Sequence, residues 1–360
     1  MKRVLISVIN DLVTDQRVHR TSSLLHEEGY EVLLIGRKLK NSLELEKRPY
    51  ECKRMKLLFE KGPLFYAEYN LRLFLLLLTN KSNLLFSNDL DTLLPNFIIS
   101  KLRGKRLIYD SHEYFTEVPE LIDRPKVQRV WKWIESFVLS RIDSMITVNE
   151  SIANLFREKY QLKVEVIRNV PMGNSRSEIV KEDRLLVLQG AGINIDRGGE
   201  ELVSAMEWID GKLWVIGDGD ALPKLKDMVR SKSLEDKISF KGKVPLSELR
   251  YLTAKAQIGF SLDKDSNVNY RYSLPNKLFD YLQASCAVIC SDLVEVNRVV
   301  SEFKVGLMLE EVTPEIIATK VNDLLENDKL LKELQLNALL ASKELTWDKE
   351  QVKLLNLLKN

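Results

Sequence analysis

Cysteine is scarce in this chain: Cys52, Cys286 and Cys290 are the only three in 360 residues. Three cannot build a disulfide framework, and the last two fall in apolar surroundings where a small buried thiol is the expected state, so a reducing cytoplasm fits. Histidine is as rare, with only His19, His26 and His112. No second His or Cys stands at ligand spacing from His112, which argues against a zinc site. Nor does one sign of charge dominate: 54 Lys and Arg against 52 Asp and Glu leave a net charge of +2, which argues against bulk binding to nucleic acid. The longest apolar run, Leu73 to Leu78, is far too short to cross a bilayer. Met1-Lys2-Arg3 leads straight into the strand-like Val4 to Ile9, without the apolar core or cleavage site of a secretion signal. No serine lies in a Gly-x-Ser-x-Gly elbow, and there is no short repeat or low-complexity tract.

What the chain does have is alternation. Hydrophobic residues make up 45% and charged residues 29%, a globular balance, and 360 residues exceed the size at which one core usually stops growing. In the first part, short runs rich in Val, Ile and Leu at 4–9, 31–36, 55–59, 84–87, 106–109, 144–148 and 164–168 predict strands. Helical patterns at 15–28, 64–78, 91–102, 126–140 and 150–160 lie between them. Turn residues from Asn169 to Ser177 mark a boundary. Beyond it, strands are expected at 185–189, 213–217, 238–240, 258–262, 287–290 and 305–309. Helices are expected at 199–208, 222–231, 247–256, 275–284, 293–300, 314–326 and 329–343. Such βα units make parallel sheets with helices on both faces. The expected architecture is α/β, with two doubly wound, Rossmann-like domains, residues 1–170 and 171–344, facing a central cleft. An amphipathic helix within residues 345–360 remains that the second domain does not need.

The chemistry centres on Ser273 to Ala284, which follows a buried strand and a polar loop from Asp263 to Tyr272. Pro275 suits a first helical turn; Leu278, Tyr281, Leu282 and Ser285 would face the sheet, leaving Asn276, Lys277 and Asp280 on another face near the helix N-terminus. Free N–H groups, the dipole and a lysine at that end suit a phosphate. The plain alternative is an ordinary surface ion pair between Lys277 and Asp280. A second anion signature follows the strand 185–189: Gly190-Ala191-Gly192, with Arg197 at the start of the next helix. Ile195 stands where a dinucleotide fingerprint needs its third glycine, so that motif is excluded, and tight packing is the alternative for these glycines. With Lys277 in the same domain, a diphosphate gripped by two cations and two helix ends is the better hypothesis. The turn Gly217-Asp218-Gly219-Asp220 can line the same place, and Asp280 suits a ribose diol. In the first domain, polar residues end three strands: Asn10-Asp11 with Thr14-Asp15, Ser87-Asn88-Asp89, and Asp110-Ser111-His112-Glu113. His112, among acids at a strand's carboxyl end, is the expected ligand contact, while His19 and His26 are expected to be solvated.

Taken in order, Asn10-Asp11 with Asp15-Gln16-Arg17-Val18, Tyr109 to Glu113, Gln189 to Gly192 with Arg197-Gly198, Gly217 to Gly219, Phe240 to Val244 and Ser273 to Tyr281 resemble glycosyltransferase family 4, of the GT-B fold. The resemblance covers nearly the whole chain. It implies retaining transfer of a sugar from a nucleotide diphosphate sugar, UDP- or GDP-linked, with no cofactor and no metal. The acceptor would be a glycan or lipid-linked molecule, as in cell-surface polysaccharide or glycolipid synthesis. The family's basic pair maps onto Arg197 and Lys277, its ribose-binding acid onto Asp280, and its first-domain histidine onto His112. Gly190, Gly192, Asp218 and Asn276 complete the donor side; Asn10, Asp11, Asp15, Asp89 and Glu113 lie on the acceptor or cleft side. The terminal helix would cross back to the first domain. Two departures touch the contact to the donor sugar: Asp280 replaces the usual Glu, and Tyr272 stands where the motif has its first acid.

Leu64 to Leu78, with Phe65, Tyr66, Tyr69 and Phe74, and Pro125 to Phe137, with Lys126, Arg129, Trp131, Lys132 and Trp133, mix aromatics with bases. Such faces suit peripheral contact with the inner surface of a membrane that presents the acceptor, although those of the first stretch also suit packing on the sheet. The other readings of the chain are a nucleotide-sugar epimerase or a phosphorylase on the same plan, and a catalytically silent nucleotide-sugar-binding subunit. A phosphorylase should need a pyridoxal-bearing lysine and a longer chain.

Overall fold

A computed structural model describes residues 2–13, 15–173, 179–190 and 192–359. The chain divides into two compact units, Met1–Arg168 with Lys353–Asn360, and Asn169–Val352.

The first unit holds strands β1 (Arg3–Asp11), β2 (Glu31–Lys38), β3 (Glu51–Lys56), β4 (Leu84–Asn88), β5 (Arg106–Ser111), β6 (Ser144–Thr147) and β7 (Lys163–Val166). Its helices are α1 (Gln16–Glu27), α2 (Gly62–Thr79), α3 (Leu90–Arg103), α4 (Pro119–Ile122), α5 (Pro125–Leu139) and α6 (Glu150–Tyr160). The sheet is parallel, in the order β3-β2-β1-β4-β5-β6-β7. The second unit holds β8 (Leu185–Gly190), β9 (Lys212–Gly217), β10 (Ile238–Gly242), β11 (Ile258–Ser261), β12 (Ala287–Ser291) and β13 (Gly306–Leu309), parallel in the order β10-β9-β8-β11-β12-β13. Its helices are α7 (Gly199–Ala205), α8 (Leu222–Ser231), α9 (Leu246–Lys255), α10 (Val268–Arg271), α11 (Asn276–Gln283), α12 (Val294–Phe303), α13 (Pro314–Glu326) and α14 (Asp328–Glu344).

Alternate residues of β8 join different cores. Leu186 and Leu188 pack with residues of α7, α8 and α13, whereas Leu185 and Val187 pack with residues of α11, α12 and α14. Burial on both faces is why these strands read as unbroken apolar runs. In each sheet the chain reverses its direction of build between two neighbours, β1 and β4 in the first, β8 and β11 in the second. Open parallel sheets bind ligands beyond the carboxyl ends of strands at that point. The ends there are Asn10-Asp11 and Asn88-Asp89 in one unit, Gly190 and Leu262-Asp263 in the other. Helix α15 (Trp347–Lys359) begins in the second unit, where the Trp347 amide donates to the Pro171 carbonyl at 2.9 Å. Its last turns belong to the first, where Arg106 donates to the Leu357 carbonyl at 2.5 Å.

Three expectations need correction. The third strand lies at Glu51–Lys56, not 55–59. It is an edge strand of mixed polarity whose place is set by pairing with β2, and the apolar Leu58 and Phe59 that suggested a strand are exposed loop residues. Helix α7 stops at Ala205, and the loop after β11 contains the short α10, capped by the Asn267 side chain. The boundary signal at 169–177 falls partly on residues 174–178, outside the described residues.

Candidate active site

In the second unit, β8 ends at Gly190 and the following turn is laced to the turn after β9. The Ile193 amide donates to the Asp218 carbonyl at 2.7 Å, and the Ile195 amide donates to Asp220 Oδ1 at 3.1 Å. Gly217, at φ 136°, leaves no room for a side chain: a Cβ there would lie 1.8 Å from the Gly190 carbonyl oxygen. Packing therefore accounts for Gly217. It does not account for Gly190, where a Cβ would meet nothing nearer than 3.8 Å. The backbone at Gly190 is open in a way its own fold does not require, whereas a Cβ at Gly192 would crowd the Asn194 side-chain amide at 3.2 Å. Ala191 lies outside the described residues.

Arg197 and Lys277, eighty positions apart in sequence, meet on one carboxylate. Lys277 Nζ is 3.2 Å from Asp263 Oδ2, and Arg197 Nε is 3.7 Å from Asp263 Oδ1. The Arg197 guanidinium also lies over the Tyr270 ring, 5.1 Å from its centre. Lys277 is only 8% exposed and Asp263 2%, so this is not the surface pair that i,i+3 spacing suggested. Burial pulls the Lys277 pKa below its ordinary value; Asp263 opposes that and Arg197 adds to it. Asp280, one turn on, accepts from Gln189 Nε2 at 3.0 Å, which ties α11 to the end of β8. Asn276 is exposed at the first position of α11, and Asp218 is exposed with its Oδ1 accepting from the Gly219 amide at 2.9 Å. Tyr272 is half-buried at the end of α10.

In the first unit, His112 follows β5 and is held by Asp89. The His112 amide donates to Asp89 Oδ1 at 3.0 Å, and its Nδ1 stands 3.1 Å from Asp89 Oδ2. Nε2 is 3.5 Å from Asp110 Oδ2 and makes no hydrogen bond. Burial disfavours the imidazolium, but Asp89 and Asp110 outweigh it and raise the His112 pKa well above its ordinary value. The two carboxylates therefore favour the charged form of the ring. Asp89 adopts φ 60°, a strained conformation for a residue with a side chain. Asp110 is buried against Arg17, whose Nε and Nη2 reach its two oxygens at 2.9 and 2.7 Å. Glu113 follows, its carbonyl accepting from Ser111 Oγ at 2.7 Å.

Other polar strand-end residues have structural duties. Asp15 caps α1 by accepting from the Val18 amide at 3.1 Å, and it also accepts from Asn10 Nδ2 at 3.0 Å. Asp11 pairs with Arg54 at 2.9 Å and accepts from Ser42. Thr14 lies outside the described residues. His19 is not solvated as its helix position suggested: half-buried, it shares a 2.6 Å hydrogen bond with the Tyr50 hydroxyl. Sequence pattern gave no sign of two further acids. Asp263 was visible only as the start of a polar loop, and Asp91 only as the start of a helix. Asp91 is buried on α3, where burial and then the charge of Asp89 hold its carboxyl well above the ordinary range. Among the described residues, no cluster of three or more His, Cys, Asp and Glu side chains is placed to hold a metal ion.

The aromatics of 64–78 do not form an outer face. Phe65 and Tyr69 are buried, and Tyr66 packs edge-on against Trp131 at 5.1 Å. What α2 exposes is a row of leucines, Leu64, Leu71, Leu75 and Leu78, while α5 exposes Val130 and Trp133 beside Lys126 and Arg129. Among the described residues no helix is long and apolar enough to cross a membrane.

Comparison with known proteins agrees with this layout. The sequence profile of Glycosyltransferase Family 4 matches residues 15–173, and that of Glycosyl transferases group 1 matches residues 174–340. The alpha-D-kanosaminyltransferase of Streptomyces kanamyceticus is 19% identical over 265 residues, 67% of each chain. Among solved structures, sucrose-phosphate synthase from Thermosynechococcus elongatus superposes with a TM-score of 0.79 at 15% identity, covering 100% of this chain and 98% of that one. Anabaena HepE in complex with UDP-glucose superposes with a TM-score of 0.75 at 13% identity, covering 100% of both chains. Two parallel α/β sheets of this order, matched along almost their whole length by the two profiles, identify the chain as a glycosyltransferase of family 4 with the GT-B fold.

Proposed function

We propose that this glycosyltransferase moves a sugar, with retention of anomeric configuration and without a metal ion, from a UDP- or GDP-linked donor to a glycan or lipid-linked acceptor. Residues 171–344 form the donor domain in this reading and residues 1–170 the acceptor domain. One observation carries it: Arg197 and Lys277 converge on Asp263 beside the strand ends where the second sheet reverses. As the bond between the anomeric carbon and the diphosphate oxygen breaks, negative charge grows on the leaving group. Two preplaced cations are what must carry that charge in a site that uses no metal. The acceptor oxygen bonds to the anomeric carbon on the face the diphosphate leaves, and its proton passes to the departing phosphate oxygen, so no enzyme nucleophile is needed. Gly190 and Gly192 let backbone approach the diphosphate, Asn276 and Asp218 flank it, and Asp280 receives the ribose hydroxyls. His112, whose charged form the two carboxylates favour and whose Nε2 stands 3.5 Å from Asp110 Oδ2, is suited to hold a sugar oxygen. Tyr272 in place of an acid supports a sugar contact different from the family's usual one.

The leucine row of α2 with Val130, Trp133, Lys126 and Arg129 of α5 supports peripheral contact with an anionic bilayer at the cytoplasmic face. The test of the reaction is incubation of the purified protein with UDP- and GDP-sugars and candidate acceptors, following diphosphate release and the anomeric configuration by NMR, with and without EDTA. A retained linkage unaffected by EDTA is expected. An inverted product, or activity abolished by EDTA, overturns the mechanism; conversion of the donor sugar without acceptor indicates an epimerase, and binding without turnover a silent subunit.

A further inference from the structure

We infer that Asp263 is a positioning residue for the donor site, holding Arg197 and Lys277 to a single buried carboxylate so that both remain charged and aligned. The inference rests on the donor reading above. Two cations this close repel each other, and one of them, Lys277, is almost out of water. An ammonium in that position beside a guanidinium would give up its proton without a counter-charge. The groups facing Lys277 are Asp263, which follows β11, and Arg197, which precedes α7; its own helix carries Asp280 one turn further on. Asp263 is the carboxylate that reaches both cations, at 3.2 and 3.7 Å.

Its mounting is rigid. The Asp263 carbonyl accepts from Ser291 Oγ at 2.6 Å, on the neighbouring strand β12. On the other side Gly198, at φ 72°, is pressed so close to Leu262 that a Cβ would lie 2.6 Å from the Leu262 carbonyl oxygen. The residue after Arg197 is thus locked to the residue before Asp263, which fixes the base of one side chain against the base of the other. Tyr270, from the same loop as Asp263, supports the guanidinium from beneath. Two cations and one carboxylate leave one net positive charge, which favours a diphosphate over a neutral sugar.

The experiment compares Asp263→Asn with the wild-type chain in the pH dependence of donor kcat/KM, alongside calorimetric binding of UDP and GDP. Without its carboxylate partner, Lys277 should lose its proton roughly 1–3 pH units lower, the usual effect of one adjacent opposite charge. The alkaline limb of kcat/KM should move down by that much. Adding Lys277→Arg to Asp263→Asn should remove the limb, because a guanidinium stays charged through that range. If Asp263→Asn does not fold, Asp263→Ser carries the same comparison. An alkaline limb that stays in place while UDP or GDP binding still depends on Lys277 overturns the role of Asp263 and leaves the donor reading standing. Wild-type protein that binds neither diphosphate overturns the donor reading itself.

Discussion

Replacing Lys277 by Ala should have two effects of separate origin, and the structure supplies the means to tell them apart. On turnover, it removes one of the two cations proposed to face the leaving diphosphate, and losing one charge-stabilising donor should slow the reaction by roughly 10²- to 10³-fold. On stability, it strips a partner from a carboxylate that is 2% exposed. Breaking a buried ion pair typically costs about 3–5 kcal/mol, because the surviving charge is left without compensation. Arg197 Nε, still 3.7 Å from Asp263, should keep the loss near the lower end, about 3 kcal/mol. The double variant Lys277→Ala, Asp263→Asn removes the orphaned charge as well. It should recover most of the lost stability in urea denaturation and none of the lost turnover, measured as diphosphate release under saturating donor. If turnover rises together with stability in the double variant, Lys277 is a structural residue and the assignment is wrong. A single variant that is folded and turns over near the wild-type rate refutes the catalytic role equally.

Three further outcomes are expected. Asp110 is buried, which by itself would raise its pKa, but Arg17 and His112 outweigh burial and hold it at about 2. Its folded value lies below the unfolded one of ~3.9, so its contribution of about 2–3 kcal/mol is present above pH ~4 and lost as pH falls towards 2. Arg17→Met should lower stability at pH 7 by about 3–5 kcal/mol and flatten that acid limb, as read from urea midpoints across pH; an unchanged midpoint refutes the pairing. Gly190→Ala should fold normally yet bind UDP or GDP more weakly, whereas Gly217→Ala should fail to fold, since its Cβ would fall 1.8 Å from a carbonyl oxygen. Equal thermal melts for the two would contradict the packing. Finally, Leu71→Glu with Leu75→Glu should reduce sedimentation with anionic vesicles at low salt without changing the melting curve, and wild-type protein that never sediments removes the membrane proposal.

The central strands were legible because burial on both faces leaves unbroken runs such as Leu185 to Leu188. Edge strand β3 was not, because half of its surface faces solvent and the apolar signal moved to the exposed Leu58 and Phe59. Arg197 and Lys277 were legible as separate anion-binding signatures, since each follows a strand and stands near a helix start. Their meeting was not. It depends on β8 and β11 being neighbours, a pairing that local pattern does not encode. For the same reason a surface pair of Lys277 with Asp280 stood as the alternative reading, whereas the fold buries Lys277 against Asp263, fourteen positions away.

Composition and alternation alone determined that this chain builds parallel α/β sheets and which strand ends carry polar residues, because those features follow from side-chain periodicity along a few consecutive residues. Only the tertiary structure decided that Asp263 stands between the two cations, that His112 is clasped by Asp89 and that the aromatics of α2 turn inward. Each of these depends on which segments, distant in sequence, the sheets bring side by side, and Coulomb interactions and packing act over that distance in space rather than along the chain.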